Sequence, residues 1–383
     1  MDPRFTEDER MVLQVVRDFA ASELAPIAHD LDINAVVPRE AIAKMQELGL
    51  FGLLIPEAYG GTSIRAVLYV RVIEELARAC AGVAIVVSVH NSIGAQPIFL
   101  YGTEEQKKRF LPRLAAREIG AFCLSEAGSG SDAASLTLRA QRDGDFWVLD
   151  GAKLWVTSAT QAGVFMVFAR TNPDPAAGYR GITAFLVERG TEGFSVGKKE
   201  DKMGLRASDT AELIFDAARV PVENQLGKEG EGFRVAMSSL DSGRIGVAAQ
   251  ALGIARAAFD EALAYAKVRR QFGRAISEFE ATRIRLAEMD TDIEAAALLI
   301  HRAAHRKDLG LPYGPQASMA KLFASEMATR VTHAAIQIHG GFGYTKDYAV
   351  ERYYRDARVT EIYEGTSEMQ RIVIARSVLG GLR

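Results

Sequence analysis

Two cysteines are present in 383 residues, Cys80 and Cys123, far apart in sequence and in no CxxC pairing. That removes a disulfide framework and most cysteine-based metal sites. No HExxH or paired-histidine pattern takes their place, so no metal centre is expected. Positive charge is not in excess either. Lys and Arg number 46 against 49 Asp and Glu, a net charge of -3, which leaves no cationic surplus to displace counterions from a nucleic acid. Long apolar runs are missing too: those around Gly82 to Val87 and Gly163 to Ala169 fall well short of the roughly 18 residues a membrane-crossing helix needs. The start, Met1 to Glu9, is acidic and polar, with neither a secretory h-region nor an Arg-rich transit pattern, so an unprocessed cytoplasmic chain is the expectation. Internal repeats and low-complexity tracts are also absent.

What is present is an ordinary globular mixture, 48% hydrophobic and 25% charged, long enough for about two or three domains. The first third has a helical period. Thr6 and Glu9 make a capping box, after which Val12, Val15, Val16 and Phe19 repeat at helical spacing until Pro26 is expected to stop the run. Pro38 reads as a first helical residue and Gly49 as the matching C-terminal cap. Further helices are expected over about Arg65 to Arg78 and from Thr103, whose box closes with Gln106. From about Gly120 the pattern turns to strands: Leu136 to Ala140, an Asp143-Gly144 turn, Phe146 to Leu149, Lys153 to Thr157, Val164 to Ala169, Ile182 to Val187 and Ala211 to Phe215. After Gly227, Gly230 and Gly232 the helical period returns, with long helices expected over Phe233 to Val268, Glu278 to Leu309 and Gln316 to His339, and shorter ones either side of Gly365. The expectation is a multidomain α+β chain: a helical domain over 1–119, a β-barrel or sandwich domain over 120–226 and a four-helix bundle over 227–383.

Four segments have the residues for chemistry. Ser125 to Asp132 is a small, hydroxyl-rich loop that exposes backbone N–H groups, although no helix follows its glycines as a Rossmann fingerprint requires. By itself it reads as a turn. Trp155 and Thr157 offer a flat surface and a hydroxyl nearby, or simply a packed core tryptophan. Arg269 to Gly273 and Gln337 to Gly343 read as helix ends; the first also carries a guanidinium beside an aromatic, and the second has more glycines, including Gly340 and Gly341, than one cap requires. His339 lacks a Ser, Cys or metal partner and reads as structural. Glu364, in Ile-Tyr-Glu-Gly-Thr-Ser ahead of a capping box expected from Ser367 and Gln370, stands on a loop between helices. Burial there would raise its pKa toward the range useful to a general base.

Taken together, Cys123 to Asp132, Gln337 to Asp356 and Ile362 to Arg371 resemble the signature segments of the acyl-CoA dehydrogenases, in the same α, β, α order. The resemblance implies FAD between the β domain and the C-terminal bundle, touching Phe122, Leu124, Ser125, Ser131, Trp155 and Thr157. It implies that a neighbouring subunit of a homotetramer reaches that FAD through Arg269, Phe272, Gln337, Gly340 and Gly341, with Thr366 and Glu368 completing the site. The acyl-CoA thioester would meet Ser131, Asp241, Arg244 and Gly365, while Glu364 removes the α-proton as the β-hydrogen leaves as hydride, giving a trans-2-enoyl-CoA. Some relatives carry the base on the long helix, where this chain has Gly243. Gln250 and Thr360 resemble the pair that closes a shallow acyl pocket in short-chain members, and Ala84 stands where glutaryl-specific relatives hold an arginine. Glu280 and Ser158 replace a usual glutamine and a common asparagine. Electron-transfer flavoprotein is the implied acceptor. A flavin oxidase or monooxygenase of the same fold, and a silent acyl-CoA-binding scaffold, remain open readings at this point.

Overall fold

The computed structural model describes residues 5–380. Helix α1, Glu7–Phe19, starts on the expected box: Thr6 N donates to Glu9 Oε2 at 2.8 Å and Glu9 N to Thr6 Oγ1 at 3.2 Å. Its Leu13, Val16 and Phe19 face the core. Pro26 does not stop the helical path. The chain passes through a π turn, Ala20–Leu24, and a 3-10 turn, Ala25–Ile27, into α2, Ala28–Asn34; in the first turn of a new segment proline's missing N–H is no loss. Pro38 is the N-cap of α3, Arg39–Glu47, rather than its first residue, and Gly49 (φ +74°) follows its end. Helix α4, Ala66–Val89, is longer than its periodic part because it runs past a kink at Cys80 and absorbs the apolar stretch Gly82 to Val87. That stretch is apolar on every side since the helix is covered all round. Helices α5, Gln96–Tyr101, and α6, Glu104–Ala116, complete this part, the latter on the Thr103 and Gln106 box.

The middle segment has strands β1 (Gly120–Cys123), β2 (Arg139–Asp143), β3 (Phe146–Thr157), β4 (Val164–Arg170), β5 (Ile182–Glu188), β6 (Phe194–Lys199), β7 (Thr210–Pro221) and β8 (Gln225–Leu226). They pair in the order β6-β7-β3-β2-β4-β5-β8, with β1 parallel to β4. The Asp143-Gly144 hairpin is present, Asp143 standing opposite Phe146. The two runs read as separate strands, Phe146 to Leu149 and Lys153 to Thr157, are one strand interrupted by two register shifts against β7. β1, β6 and β8 are too short or too polar to have stood out as strands. The sheet folds over on itself: Phe165 of β4 meets Phe194 of β6 with ring centroids 4.8 Å apart, and Trp147 of β3 meets Phe185 of β5 at 5.4 Å. A single sheet thereby makes a sandwich-like core.

The C-terminal part holds α7 (Gly232–Val268), a small hairpin of β9 (Arg270–Gln271) and β10 (Arg274–Ala275), then α8 (Glu280–Asp308), α9 (Gly314–His339), α10 (Val350–Arg358) and α11 (Ser367–Val378). The long α7 to α9 form the body of the bundle, and α10 and α11 pack on α9. Alanine and glycine on the buried faces let backbones approach: a Cβ at Gly253 of α7 would come within 2.8 Å of Ala77 on α4. Glu280 opens α8, where a carboxylate suits the helix dipole. α11 is capped by Thr366, which accepts from Met369 N at 3.4 Å, and not by the expected Ser367 and Gln370 pair. Gln370 is directed at the preceding loop instead.

One junction ties the three parts together. Arg355 of α10 donates to both Asp32 oxygens at 3.0 and 2.6 Å and to Met203 O at 3.0 Å, and the buried Asp356 carboxylate accepts from Leu205 N at 2.6 Å. Burial pushes the Asp356 carboxyl up to about 6. Between these contacts, a Cβ on Gly204 would lie 2.5 Å from Arg355 O and 2.8 Å from Asp356 N. Gly204→Ala is therefore expected to destabilise the protein by about 1–3 kcal/mol. Denaturant unfolding checks this, and an unchanged midpoint would show that the junction is slack.

Candidate active site

Glu364 and Gly365 both have positive φ, 54° and 93°, on the loop between the 3-10 turn Val359–Glu361 and α11. Two successive left-handed residues turn the chain sharply, and the first is not glycine, so the surrounding structure must hold it. The turn drives the Glu364 side chain inward. Both carboxylate oxygens are shut off from solvent and neither has a hydrogen-bond partner. The carboxylate lies against α7 at Gly243, where a Cβ would overlap Glu364 Oε2 and approach Ile93 Cγ2 at 3.0 Å. Glycine at 243 thus leaves room for the acid that the loop supplies. Burial pushes the Glu364 carboxyl up to about 7, opposed by the cations of Lys321 on α9 and Arg244 on α7.

The expected substrate residues surround this loop in part. Arg244 is buried and paired with Asp241 at 2.6 Å, its Nε left without a partner. Asp241 lies at the N-terminus of α9, 2.9 Å from where a Cβ of Gly314 would stand, and burial raises its carboxyl. Gln250 is fully buried; it accepts a hydrogen bond from the Tyr363 hydroxyl and donates to Ala81 O at 2.9 Å, just beyond the α4 kink. Thr360 is buried with its hydroxyl donating back to Ala357 O at 2.7 Å. Ala84 is buried in α4.

A second group gathers at the β domain. The loop after β1 is stapled from within by Glu126, which accepts from Lys153 Nζ at 2.7 Å, from Thr137 N at 2.7 Å and Oγ1 at 2.8 Å, and from Leu138 N at 3.0 Å. Leu124 is buried and Phe122 half-buried against Phe168, whereas Ser131 and the glycines at 128 and 130 are open. Trp155 is not a core residue. It is 62% exposed with φ +61° at the second register shift of β3, and Leu154 N donates to Ser125 O at 2.8 Å, so the bulge presents the indole outward beside the loop. Thr157 on the same strand is half-buried. Ser158 also has positive φ, 63°, a conformation asparagine adopts more readily than serine.

A third group lies at the far ends of α7 and α9. The Arg269 guanidinium sits 5.4 Å over the Phe342 ring, Phe272 is 95% exposed with φ +51°, and Gln337, Gly340 and Gly341 are exposed. His339 is buried and stacked on Tyr265 at 4.2 Å, as a structural residue would be. The helix between Arg244 and Val268 rises roughly 36 Å, so this group stands well away from Glu364 of the same chain. At α11, Thr366 is the cap and Glu368 an exposed first-turn acid held below its usual range by backbone and Thr366 hydrogen bonds. Sequence reasoning missed Lys321, Lys153 and Glu126. The available signal was a lone lysine among small residues in a helix or alternating positions in a strand.

With this geometry in place, the comparisons are specific. Models of the acyl-CoA dehydrogenase N-terminal, middle and C-terminal domains match residues 6–118, 121–218 and 230–379. A short-chain specific acyl-CoA dehydrogenase of Clostridium acetobutylicum is 46% identical over 99% of this chain and 100% of its own. The solved butyryl-CoA dehydrogenase from Megasphaera elsdenii superposes with a TM-score of 0.97 at 43% identity, covering 99% of this chain and 100% of that one. A chain solved in work on the electron transferring flavoprotein of Acidaminococcus fermentans has a TM-score of 0.97 at 47% identity, with the same coverage. The chain belongs to the acyl-CoA dehydrogenase family and is an enzyme of that class. Among the described residues no helix is long and apolar enough to cross a membrane.

The displaced Glu364 pKa has a consequence for stability. A carboxyl raised from 4.5 to about 7 in the folded protein favours folding when protonated, and that advantage is lost as pH rises from about 4.5 through 7. Glu364→Gln escapes the loss. Its stability gain over the parent should be near zero at pH 4, grow across that window and level off above pH 7 at about 3 kcal/mol or less. Thermal melts of both proteins at several pH values test this; a gain independent of pH would contradict it.

Proposed function

We propose that the protein oxidises a short, uncharged acyl-CoA to the trans-2-enoyl-CoA, with Glu364 as the base that takes the α-proton, and that electron-transfer flavoprotein then collects the electrons. One observation supports this above the others: a carboxylate without hydrogen bonds, dehydrated and raised to about 7, at the point where the loop meets α7. In its ionised state it is a strong, unsolvated acceptor for a proton, and around neutral pH it is matched to give and take one. Gly243 offers no competing acid. A short acyl chain is the reading for Gln250 and Thr360, both fully buried, with Gln250 held by the Tyr363 hydroxyl next to the base, and Ala84 provides no cation for a second carboxylate.

The cofactor of this family, FAD, fits the residues present. Trp155 is a strained, outward-facing aromatic beside open backbone at Gly128 and Gly130, a surface with room for a flat ring. Phe122, Leu124, Ser125, Ser131 and Thr157 would hold it from the same side, and Thr366 and Glu368 from α11. When bound, FAD supplies the acceptor for the hydride that leaves the β-carbon. Arg269, Phe272, Gln337, Gly340 and Gly341, at the far ends of α7 and α9 and roughly 36 Å of helix from Arg244, would serve the site of a second copy, and shared sites of this kind go with the homotetramer of our reading. Asp241, Arg244 and Gly365, grouped about the Glu364 loop, would meet the thioester.

Anaerobic addition of butyryl-CoA to the yellow protein should bleach it, with a rate that rises as pH passes about 7 and Glu364 loses its proton. Glu364→Gln should stay yellow and bind ligand while bleaching about 10²- to 10⁴-fold more slowly. Absence of bleaching by any acyl-CoA from C4 to C16 would refute the dehydrogenase reading, and turnover sustained by oxygen alone would favour an oxidase. Trp155→Ala, at an exposed position, should change chain stability by no more than about 0.5 kcal/mol yet release FAD on gel filtration; full retention of colour would remove the indole from the cofactor site.

A further inference from the structure

Lys321 is not used by the reaction as described. It lies mid-way along α9 on a buried face otherwise made here of Ala317, Ser318, Ala320, Ala324 and Ser325, and it is fully shielded from water. Burying an ammonium group is strongly unfavourable unless something compensates for it. The compensation in view is a hydrogen bond from Nζ to Gly365 O at 2.7 Å and the nearby Glu364 carboxylate. Gly365 O also accepts from Gln370 Nε2 at 2.8 Å. The peptide just after the base, where the backbone holds two successive positive φ angles, is therefore clamped from α9 and from α11.

We propose that Lys321 is the positioning residue of the active site: it holds the Gly365 carbonyl so that Glu364 is aimed at α7, and its charge stabilises the ionised carboxylate. This rests on Glu364 being the base. The groups facing Glu364 are Lys321, Arg244 of α7 and the phenols of Tyr363 and of Tyr69 on α4. Those facing Lys321 are Glu364, Glu361 and Glu368, with Arg244 opposing them. Arg244 is already paired with Asp241, whereas Lys321 hydrogen-bonds to no carboxylate among the described residues, and of the three carboxylates it faces Glu364 acts on it most strongly. Burial draws the Lys321 amine down to about 8, with Glu364 at about 7, so between those values both groups are charged. Without the lysine, burial of Glu364 is less opposed and the ionised fraction at neutral pH falls.

The test is the pH dependence of kcat/KM with butyryl-CoA for flavin-loaded parent, Lys321→Met, Lys321→Arg and Gln370→Met. Lys321→Met should move the acid limb up by about one pH unit or more and lower kcat/KM at pH 6 about 10-fold. Lys321→Arg should keep the limb within about 0.3 unit of the parent even if kcat falls. Gln370→Met, which removes the other donor to Gly365 O without changing charge, should lower kcat and leave the limb in place. An unmoved limb in Lys321→Met overturns the inference. So does a limb in Lys321→Arg displaced by a full unit, and that arm decides if the methionine variant does not fold or load flavin. If the parent is not bleached by butyryl-CoA, or Glu364→Gln still turns over, the assignment of the base has failed and this inference fails with it. If Glu364→Gln is dead and the Lys321→Met limb stays put, only the role of Lys321 is lost.

Discussion

Dehydration of one carboxylate is the constraint around which the rest of this structure is arranged. Glu364 is shut off from solvent at both oxygens with no hydrogen-bond partner, and a charge in that state is held only at a cost. The surroundings bear that cost in identifiable ways. The loop accepts two left-handed residues in succession, α7 carries glycine where any side chain would collide, and α9 commits a buried lysine to the next carbonyl. A polar site of this kind is unstable by the ordinary rules of packing, and it persists because these neighbours hold it.

The architecture explains how such a loop can be rigid. It is pinned to α9 through Lys321, to α11 through Gln370 and to α7 and α4 through Tyr363, Gln250 and Ala81. The surrounding bundle is built on alanine and glycine, so the helices lie close and leave little play. At the β domain the same device appears in another form. A buried Lys153 and Glu126 pair fixes the loop after β1 from below, which frees its outer edge and the Trp155 bulge to stay open. In both places a buried ammonium donates to a loop carbonyl, Lys153 to Leu124 O and Lys321 to Gly365 O, and so fixes the backbone of the loop it stands behind.

The division of the chain supports a division of labour. The β domain offers a flat open surface, the start of α7 and the last loop offer the acid and its cations, and the far ends of α7 and α9 project an exposed Phe272 and an Arg269 stacked on Phe342. A rigid helix of 37 residues keeps these last two sets apart. Length alone, therefore, argues that the exposed aromatic and guanidinium complete something other than their own chain's acid site.

Much of this was legible in the residues. The capping boxes at Thr6 and Thr103, the Asp143-Gly144 hairpin and the long helical periods are local signals, set by hydrogen bonds and side-chain spacing within a few positions, and the structure has them. Elements whose form depends on distant neighbours were not legible, namely the all-apolar end of α4 and the continuity of β3 through its bulges; the path across Pro26 and the cap of α11 are local, and there two local signals competed. At the site, the sequence by itself nominated Glu364 by its loop and its glycine. Only the tertiary structure decided that its oxygens are dry, that Gly243 makes their space and that Lys321 stands behind the turn, because dehydration and charge proximity arise between segments far apart in the chain.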